Sequence, residues 1–496
     1  MGGPAGRVPE INRARLPRTA LFFTLTGPDA PRNRKGRETM IEIITKINSA
    51  VNNFVWGPVM LLLLVGTGVY LTARTGCIQA AKFGYIMRNT VGSLFRRREK
   101  RDKDAKNLTP FQAVTTALAG TVGTGNIAGV TGAIFAGGPG AVFWMWFAAF
   151  FGMFTKFAEI VLALKYRQVD ENGVHYGGPM YYIEKGLGMK WLAVLFSLVA
   201  GFACFGIGNI SQSSEIAGAM EGLFGMSGLT TGVLLAVVVG IVVLGGVQRI
   251  GRVTSYMVPF MAIFYIGAGL AVILLRIDQV PAALASIFTS AFSFEAVGGG
   301  VFGYAIMVAM RQGFARGVFS NEAGLGSAPM AHAASETQEP VEQGMWGVFE
   351  VFIDTIVICT LTSLAVILSG VLDVGLDSYA TNGAAAVAAF NAILPGTIGG
   401  TIIQISLLFF ALSTILGWSY YGERCWAYLS NNNKAVVWIF KVVFVLVCIV
   451  GATGNGTLMW DISDTLNGMM AIPNLIGLLL LSNVIIRSTN DYFKKH

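Results

Sequence analysis

Long apolar segments separated by short polar connections constrain this chain more than any other feature of its sequence. Each is close to or above the roughly 20 residues that a helix needs to cross a bilayer. Eleven are predicted, at about 55–73, 109–136, 140–164, 191–220, 229–247, 254–275, 296–330, 345–369, 401–423, 435–453 and 463–486. Because backbone groups in hydrocarbon must bond within their own segment, we expect an all-α polytopic protein of the lipid bilayer.

The composition excludes several other classes of protein. Only 12% of the residues are charged and 54% are hydrophobic, which is too apolar for a soluble domain of 496 residues. The net charge of +8 is assigned to membrane topology, so no nucleic-acid partner is expected. The five cysteines and three histidines form no ligand cluster, so no cofactor is expected. The absence of a Walker A pattern argues against an ATP-driven pump.

The distribution of basic residues predicts the orientation. The connection at 74–108 is rich in lysine and arginine, whereas 371–400 contains neither. The first connection is therefore predicted to be cytoplasmic. Alternating sides from there places residue 40 outside the cell (plasma) membrane and the C-terminus in the cytoplasm.

Six regions are predicted along the chain. They are a disordered basic extension at 1–39, an extra transmembrane helix at 40–73, a basic cytoplasmic loop at 74–108, a first inverted repeat at 109–275, a second at 276–486 and a cytoplasmic tail at 487–496. Whether 1–39 belong to the native protein is left open, since Met40 is a second candidate start.

Glycines interrupt the apolar segment at 109–136. Gly120, Gly123, Gly125 and Asn126 lie near its middle, and each interior glycine costs a helix about 1 kcal/mol relative to alanine. We therefore expect two half-helices joined by an unwound segment that binds a ligand. The alternative is close helix packing through Gly125 and Gly129, which does not explain an asparagine at this depth.

A second interruption is predicted within 296–330. This stretch contains Gly313 and Gly317 beside Arg311, Arg316 and further polar residues. Broken helices at matching positions of two repeats indicate the central site of a secondary transporter. The alternative is that the chain from Arg311 onward is a cytoplasmic loop.

Four motifs resemble the alanine/glycine:cation symporter family. They are Gly120–Gly129, Gly137–Trp146, Gly177–Tyr182 and Gly317–Pro329, and the resemblance extends from about Ile41 to Ile486. It implies the leucine-transporter-like fold, with two inverted five-helix repeats and one extra N-terminal helix. It also implies Na⁺-coupled symport of alanine or glycine into the cell by alternating access, with H⁺ coupling as the alternative. The Val122–Asn126 sequence further resembles the unwound segment of the sodium:neurotransmitter symporters, which share the fold.

The zwitterionic substrate of such a family needs hydrogen-bond donors at one end and acceptors at the other. The amides of Gly123, Thr124 and Gly125 suit its carboxylate. Carbonyls near Ala119 and Thr121 suit its ammonium group. Asn126 is included in this predicted substrate site because it lies in the same segment.

The resemblance also implies a Na⁺ site. Its predicted ligands are the carbonyls of Ala119 and Val122 and the adjacent hydroxyls of Ser413 and Thr414. In the alternative interpretation, both hydroxyls bond to carbonyls of their own helix.

Two further pairs are predicted to contact the substrate. Gln212 and Asn209 lie in a stretch too polar to face lipid, although a purely structural bond between helices is the alternative. Phe314 and Val318 are four residues apart and share a helix face. We hypothesise that they enclose the methyl group of alanine, with ordinary core packing as the alternative.

Two other functions are compatible with a helical membrane protein. A channel would conduct without coupling to a substrate. An intramembrane serine protease would need Ser327 and His332 within hydrogen-bond reach, although Pro329 lies between them. Six charged residues lie near or within the spans, and most are expected near the membrane ends or in gating pairs, with no catalytic role: Lys156, Glu159, Glu350, Asp354, Asp461 and Asp464.

Overall fold

Apolar helices make up nearly all of the described structure, as the long apolar segments predict. A computed structural model of the protein describes residues 31–95, 106–292, 302–454 and 457–495. The chain divides into two units, Met1–Thr45 and Lys46–His496. The first unit is helical where it is described, from residue 31 onward.

Within the described residues, five helices precede the first broken segment. They are α1 Pro31–Val55, α2 Pro58–Arg74, α3 Ile78–Ala81, α4 Phe83–Asn89 and α5 Val91–Leu94. The sequence predicts a disordered extension at 1–39. In the structure residues 31–39 are helical, and residues 1–30 lie outside the described residues. Arginine, lysine and glutamate in this stretch have good helix propensity, so charge alone does not end the helix.

The next group runs from the first broken segment to a long helix. It comprises α6 Pro110–Thr121, α7 Ala128–Gly137, α8 Gly140–Lys165, β1 Gln168–Val169, β2 His175–Tyr176, α9 Pro179–Leu187, α10 Lys190–Phe205, α11 Ser211–Phe224, α12 Gly228–Val243 and α13 Gly246–Leu275. The two strands pair antiparallel, with Gln168 opposite Tyr176. A π-helical turn, Gly206–Ile210, joins α10 to α11.

The remaining elements form the second group. They are α14 Val280–Phe292, α15 Phe302–Asn321, α16 Pro329–Ala333, α17 Pro340–Val351, α18 Thr360–Leu368, α19 Val371–Val374, α20 Asn382–Ile393, α21 Ile398–Leu429, α22 Lys434–Thr453, α23 Thr457–Leu480 and α24 Ser482–Lys495. A π-helical segment, Phe352–Cys359, joins α17 to α18.

Length and hydropathy support a multi-pass membrane protein. Within the described ranges, seven helices are long and apolar enough to cross a bilayer, and two bent pairs bring the number to as many as nine. The predicted number of eleven, and the repeat boundaries at 109–275 and 276–486, remain predictions. Of the predicted spans, 229–247 corresponds to the shorter apolar helix α12.

Helix α6 shows how local sequence places the first break. Thr109 caps it by accepting from the Gln112 amide, while the Gln112 side chain accepts from the Thr109 amide. Pro110 occupies the first helical position, where no amide hydrogen is needed. This start directs the end of α6, and the glycines that follow it, into the bundle beside α21.

Candidate functional site

The first broken segment is unwound between α6 and α7. In a continuous helix the Gly123 amide would bond to the Ala119 carbonyl, but here it donates to Asn126 Oδ1 at 2.9 Å. Thr124–Asn126 form a single 3-10 turn, and the two half-helices differ in direction by 57°. The prediction of two half-helices is confirmed.

The glycines of this segment admit close neighbours. A Cβ on Gly123 would lie 2.5 Å from Thr414 Oγ1, and one on Gly125 would lie 3.2 Å from the Phe319 ring. A Cβ on Gly129 would meet nothing within 4 Å. Because Gly129 makes no such approach, the alternative of a packing pair formed by Gly125 and Gly129 does not describe this segment.

Two backbone donors are left over at the break. Among the described residues, none accepts a hydrogen bond from the amides of Thr124 and Gly125. The first amides of a helical segment have no partner within it and carry its positive end. These two amides, rather than that of Gly123, are therefore available to an anion.

Asn126 ties the unwound segment to the second group of helices. Its Nδ2 donates to Ser320 Oγ at 2.8 Å and to Asp354 Oδ1 at 2.7 Å. Ser320 and Thr355 both donate to Asp354 Oδ2 at 2.8 Å, and Thr362 donates to the Asn126 carbonyl. The side chain of this predicted substrate residue is occupied by protein partners that hold the segment in place.

Gln212 lies at the unwound segment, as the sequence predicts. Its Oε1 accepts from Thr124 Oγ1 at 3.1 Å, and its Nε2 donates to the Ile207 carbonyl at 3.0 Å. That carbonyl belongs to the π-helical turn before α11, where the wider backbone pattern often accompanies functional sites. The turn therefore anchors Gln212 with its oxygen toward Thr124.

Asn209 points to a different neighbour. Its Nδ2 donates to the Phe444 carbonyl of α22 at 2.6 Å, and its Oδ1 accepts from Ser213. These contacts match the alternative of a structural bond between helices. The structure does not bring Asn209 to the unwound segment, because both polar atoms of its side chain are bonded to Phe444 and Ser213 instead.

Hydroxyls of α21 approach the end of α6. Ser413 Oγ lies 3.5 Å from the Val122 carbonyl, and Thr414 lies against Gly123. Both hydroxyls also donate to the Phe410 carbonyl, at 2.8 and 3.0 Å. A hydroxyl that donates its hydrogen keeps lone pairs for a cation, so the two interpretations of these residues are compatible. Ala119, one turn before Gly123, is fully buried in the same region.

Phe314 differs from the expectation that it encloses the substrate. Its ring packs edge-on against Trp144 and stacks against Phe147, both in α8. A Cβ on Gly313 would lie 2.3 Å from the Ala141 carbonyl of α8. This glycine therefore allows α15 to pack closely against α8 and does not face the predicted substrate site. Val318, one turn later on the same face, is buried with it.

The side chain of α15 beside the unwound segment is Phe319. Its ring lies next to Gly125, and it belongs to the adjacent face of α15. Helical spacing groups Phe314 with Val318 but does not say which neighbour their face meets, so nothing in the spacing singled out Phe319. The glycines interleaved with Phe314 and Val318, Gly313 and Gly317, were the available signal in the sequence. In the structure they lie at the contact between α15 and α8.

The second break follows α15 instead of interrupting it at Gly313 or Gly317. Three residues in it have positive φ: Glu322 at 55°, Gly324 at 93° and Gly326 at 82°. The helix continues to Asn321 and is largely buried, so the alternative of a loop from Arg311 is wrong. Gly298–Gly300 lie outside the described residues.

Buried carboxylates hold this second break. Glu159 accepts from the Gly324 amide at 3.0 Å and from the Asn474 side chain. Glu322 accepts from Trp418 Nε1 at 3.0 Å and from Ser327. Glu159 thus supplies an acceptor for the Gly324 amide, whereas Glu322 is bonded to side chains.

Two of the charged residues expected near the membrane ends or in gating pairs form a buried ion pair. Lys156 Nζ is 3.2 Å from Glu350 Oε1, and both side chains are 0% exposed. His332 Nε2 lies 3.1 Å from the other oxygen of Glu350. Burial is possible because the charges meet partners across α8, α16 and α17. Ser327 and His332 therefore have separate partners, and no nucleophile and base are paired.

Comparison with known proteins agrees with this architecture. The sequence profile described as "Sodium:alanine symporter family" matches residues 41–496. "Sodium/alanine symporter AgcS" of Methanococcus maripaludis is 48% identical over 456 residues, covering 91% of this chain and 98% of that protein. "Probable sodium/glutamine symporter GlnT" of Bacillus subtilis is 36% identical, covering 92% of each.

A solved structure shares the fold. The crystal structure of MhsT in complex with L-phenylalanine matches with a TM-score of 0.54 at 15% identity, covering 79% of this chain and 99% of that chain. At this identity the likeness shows the fold alone. The expected leucine-transporter-like fold is confirmed.

Proposed function

The chain belongs to the sodium:alanine symporter family, and from this premise we propose that it moves alanine into the cell together with Na⁺ by alternating access. It is a transporter and not an enzyme. Glycine is a second substrate of the proposed reaction. Residue 40 lies outside and the C-terminus in the cytoplasm in this proposal, which the distribution of basic residues supports.

One observation supports the substrate site most directly. The unwound segment has two amides that no described residue accepts from, and it lies against Gln212 and Thr414. The substrate carboxylate binds the amides of Thr124 and Gly125, where the positive end of a half-helix stabilises an anion. The ammonium group binds carbonyls near Thr121 and Ala119 and the oxygen of Gln212. Asn126 orients the segment.

The proposed Na⁺ site lies beside Gly123, where α21 approaches the end of α6. Its ligands are the carbonyls of Ala119 and Val122 and the hydroxyls of Ser413 and Thr414. Hard oxygen ligands suit Na⁺, and each hydroxyl retains lone pairs while it donates to Phe410. The approach of Ser413 to the Val122 carbonyl supports this set.

Replacing Thr414 with alanine is expected to raise the Na⁺ concentration for half-maximal alanine uptake by about tenfold to a hundredfold, because a buried ligand to a charged group contributes roughly 1.5–3 kcal/mol. Uptake at graded Na⁺ concentrations measures this. Thr414→Ser is the matched control, since it keeps the hydroxyl and should retain the wild-type value. Unchanged Na⁺ dependence in Thr414→Ala would remove Thr414 from the site.

Replacing Phe319 with alanine is expected to let serine, valine and leucine compete with alanine, because the ring beside Gly125 closes the space near the substrate. Competition against labelled alanine measures the substrate profile. Phe314→Ala removes an equal ring that packs on α8, so its profile should stay narrow. A broader profile in Phe314→Ala alone would restore the original assignment of Phe314.

Transport by the purified protein in liposomes tests the proposed function. Labelled alanine should accumulate above its external concentration only with an inward Na⁺ gradient, and unlabelled glycine should compete. Accumulation driven by a proton gradient without Na⁺ would support the H⁺-coupled alternative. Alanine flux that only equilibrates under either gradient would support a channel and overturn the proposal.

A further inference from the structure

A cavity of about 350 Å³ lies between α11, α20 and α21. Glu215 and Glu221 line it from α11, Thr381 and Gly383 from the start of α20, and Gln404 from α21. The connection that contains α20 has no lysine or arginine, so this end of the bundle is the one predicted to face outside. None of the described lining residues is basic.

The carboxylate of Glu215 is directed at this cavity without a protein partner. The side chain is partly buried, and a Cβ on Gly383 would lie 2.9 Å from its Oε2. No hydrogen bond or ion pair joins this carboxylate to any residue in the described part of the chain. A partly buried carboxylate loses hydration, and a bound cation would compensate for that loss.

The cavity is aligned with the proposed central site. Glu215 follows Gln212 by three residues on α11, which is about one turn on the same face. On α21, the cavity residue Leu407 precedes Thr414 by two turns. Phe410, which is 0% exposed, lies between Leu407 and Thr414 along α21. The cavity and the proposed central site are thus lined by neighbouring turns of the same two helices.

We propose that this cavity binds a small cation before it reaches the central site, with Glu215 as the anionic contact. Oxygens of Thr381 and Gln404 complete its coordination. The chemistry suits two sources, Na⁺ or the ammonium group of the amino acid. This inference rests on the proposed function, since it concerns the path by which the same ligands arrive.

Replacing Glu215 with glutamine in the full-length protein in liposomes tests the cavity. One arm measures half-saturating Na⁺ at saturating alanine, and the other measures half-saturating alanine at saturating Na⁺. For the ligand whose cation binds in the cavity, the half-saturating concentration is expected to rise about tenfold, with the maximal rate retained. A shift in the Na⁺ arm identifies Na⁺, and a shift in the alanine arm identifies the ammonium group.

Asp377→Asn is the charge-matched control, because Asp377 is exposed in the same predicted outer connection but does not line the cavity. It should leave both arms unchanged. Equal shifts in Asp377→Asn and Glu215→Gln, or no shift in Glu215→Gln, would overturn the cavity as a binding site. Gly383→Ala is the second variant. Its methyl group crowds the Glu215 carboxylate while leaving the charge in place, so it should raise the same half-saturating concentration as Glu215→Gln.

Failure of the proposed function would be recognised separately. If the wild-type protein accumulates no alanine, the transport proposal fails. Equilibrium binding of radioactive ²²Na⁺ and of labelled alanine to the purified wild-type protein and to Glu215→Gln then decides whether the cavity is a binding site. Weaker binding of either ligand by the variant supports the cavity, and equal binding of both ligands overturns it.

Discussion

Replacing Gly123 with leucine is expected to abolish alanine binding while the protein remains folded. A Cβ at this position would lie 2.5 Å from Thr414 Oγ1 and 3.7 Å from Gln212 Oε1. The rest of the leucine side chain would fill the space in which the substrate contacts the unwound backbone. Overpacking of this kind costs roughly 1–3 kcal/mol of stability, whereas a direct clash excludes the ligand. Binding of labelled alanine to purified protein measures the loss.

Gly129→Leu is the matched control for this variant. The same substitution six residues later adds a Cβ that meets nothing within 4 Å, so alanine binding should be retained. Thermal unfolding and size-exclusion profiles of both variants show whether each is folded. Normal alanine binding by Gly123→Leu would mean that the substrate site lies elsewhere in the bundle.

Replacing Lys156 with methionine is expected to lower the free energy of unfolding by about 3–5 kcal/mol, because it leaves the Glu350 carboxylate buried without its cation. Lys156 and Glu350 are both wholly buried, 3.2 Å apart. Thermal unfolding in detergent measures the loss. A thiol-reactive dye suits the measurement, since Cys204, Cys359 and Cys425 are buried until the protein unfolds.

Two controls separate the ion pair from general effects of substitution. Lys165→Met removes a lysine from the exposed end of the same helix and should change stability by less than about 0.5 kcal/mol. The double variant Lys156→Met/Glu350→Gln removes both charges and should recover most of the lost stability. Wild-type stability in Lys156→Met would show that the pair contributes little.

The two broken helices were predictable to different degrees. At the first, Gly123, Gly125 and Asn126 lie within a few residues, and the bonds that form there are local: the Asn126 side chain caps the Gly123 amide. At the second, Gly313 and Gly317 were prominent, but the break begins at Glu322. A glycine in a helix signals either a break or a close neighbour, and only the position of α8 distinguishes the two.

Candidate site residues divided in the same way. Gln212 and Asn209 lie one turn apart in one polar stretch, and both were reasonable substrate contacts. Gln212 reaches Thr124, whereas Asn209 bonds to the Phe444 carbonyl, 235 residues away. The buried partners Glu159, Asn474 and Trp418 gave no local pattern, since each acts on a break that is distant in sequence.

By itself, the sequence determined that this protein crosses a membrane as helices, that the apolar segment at 109–136 contains an unwound stretch, and that the protein belongs to a family of symporters. These follow from segment length, from the bonding needs of backbone in hydrocarbon and from contiguous motifs. The tertiary structure alone decided that Phe319 rather than Phe314 lies beside Gly125, that Lys156 and Glu350 pair in the core, and where the second helix opens. The physical reason is that helical periodicity specifies which residues share a face, whereas the neighbour of that face is set by packing between segments far apart in the chain.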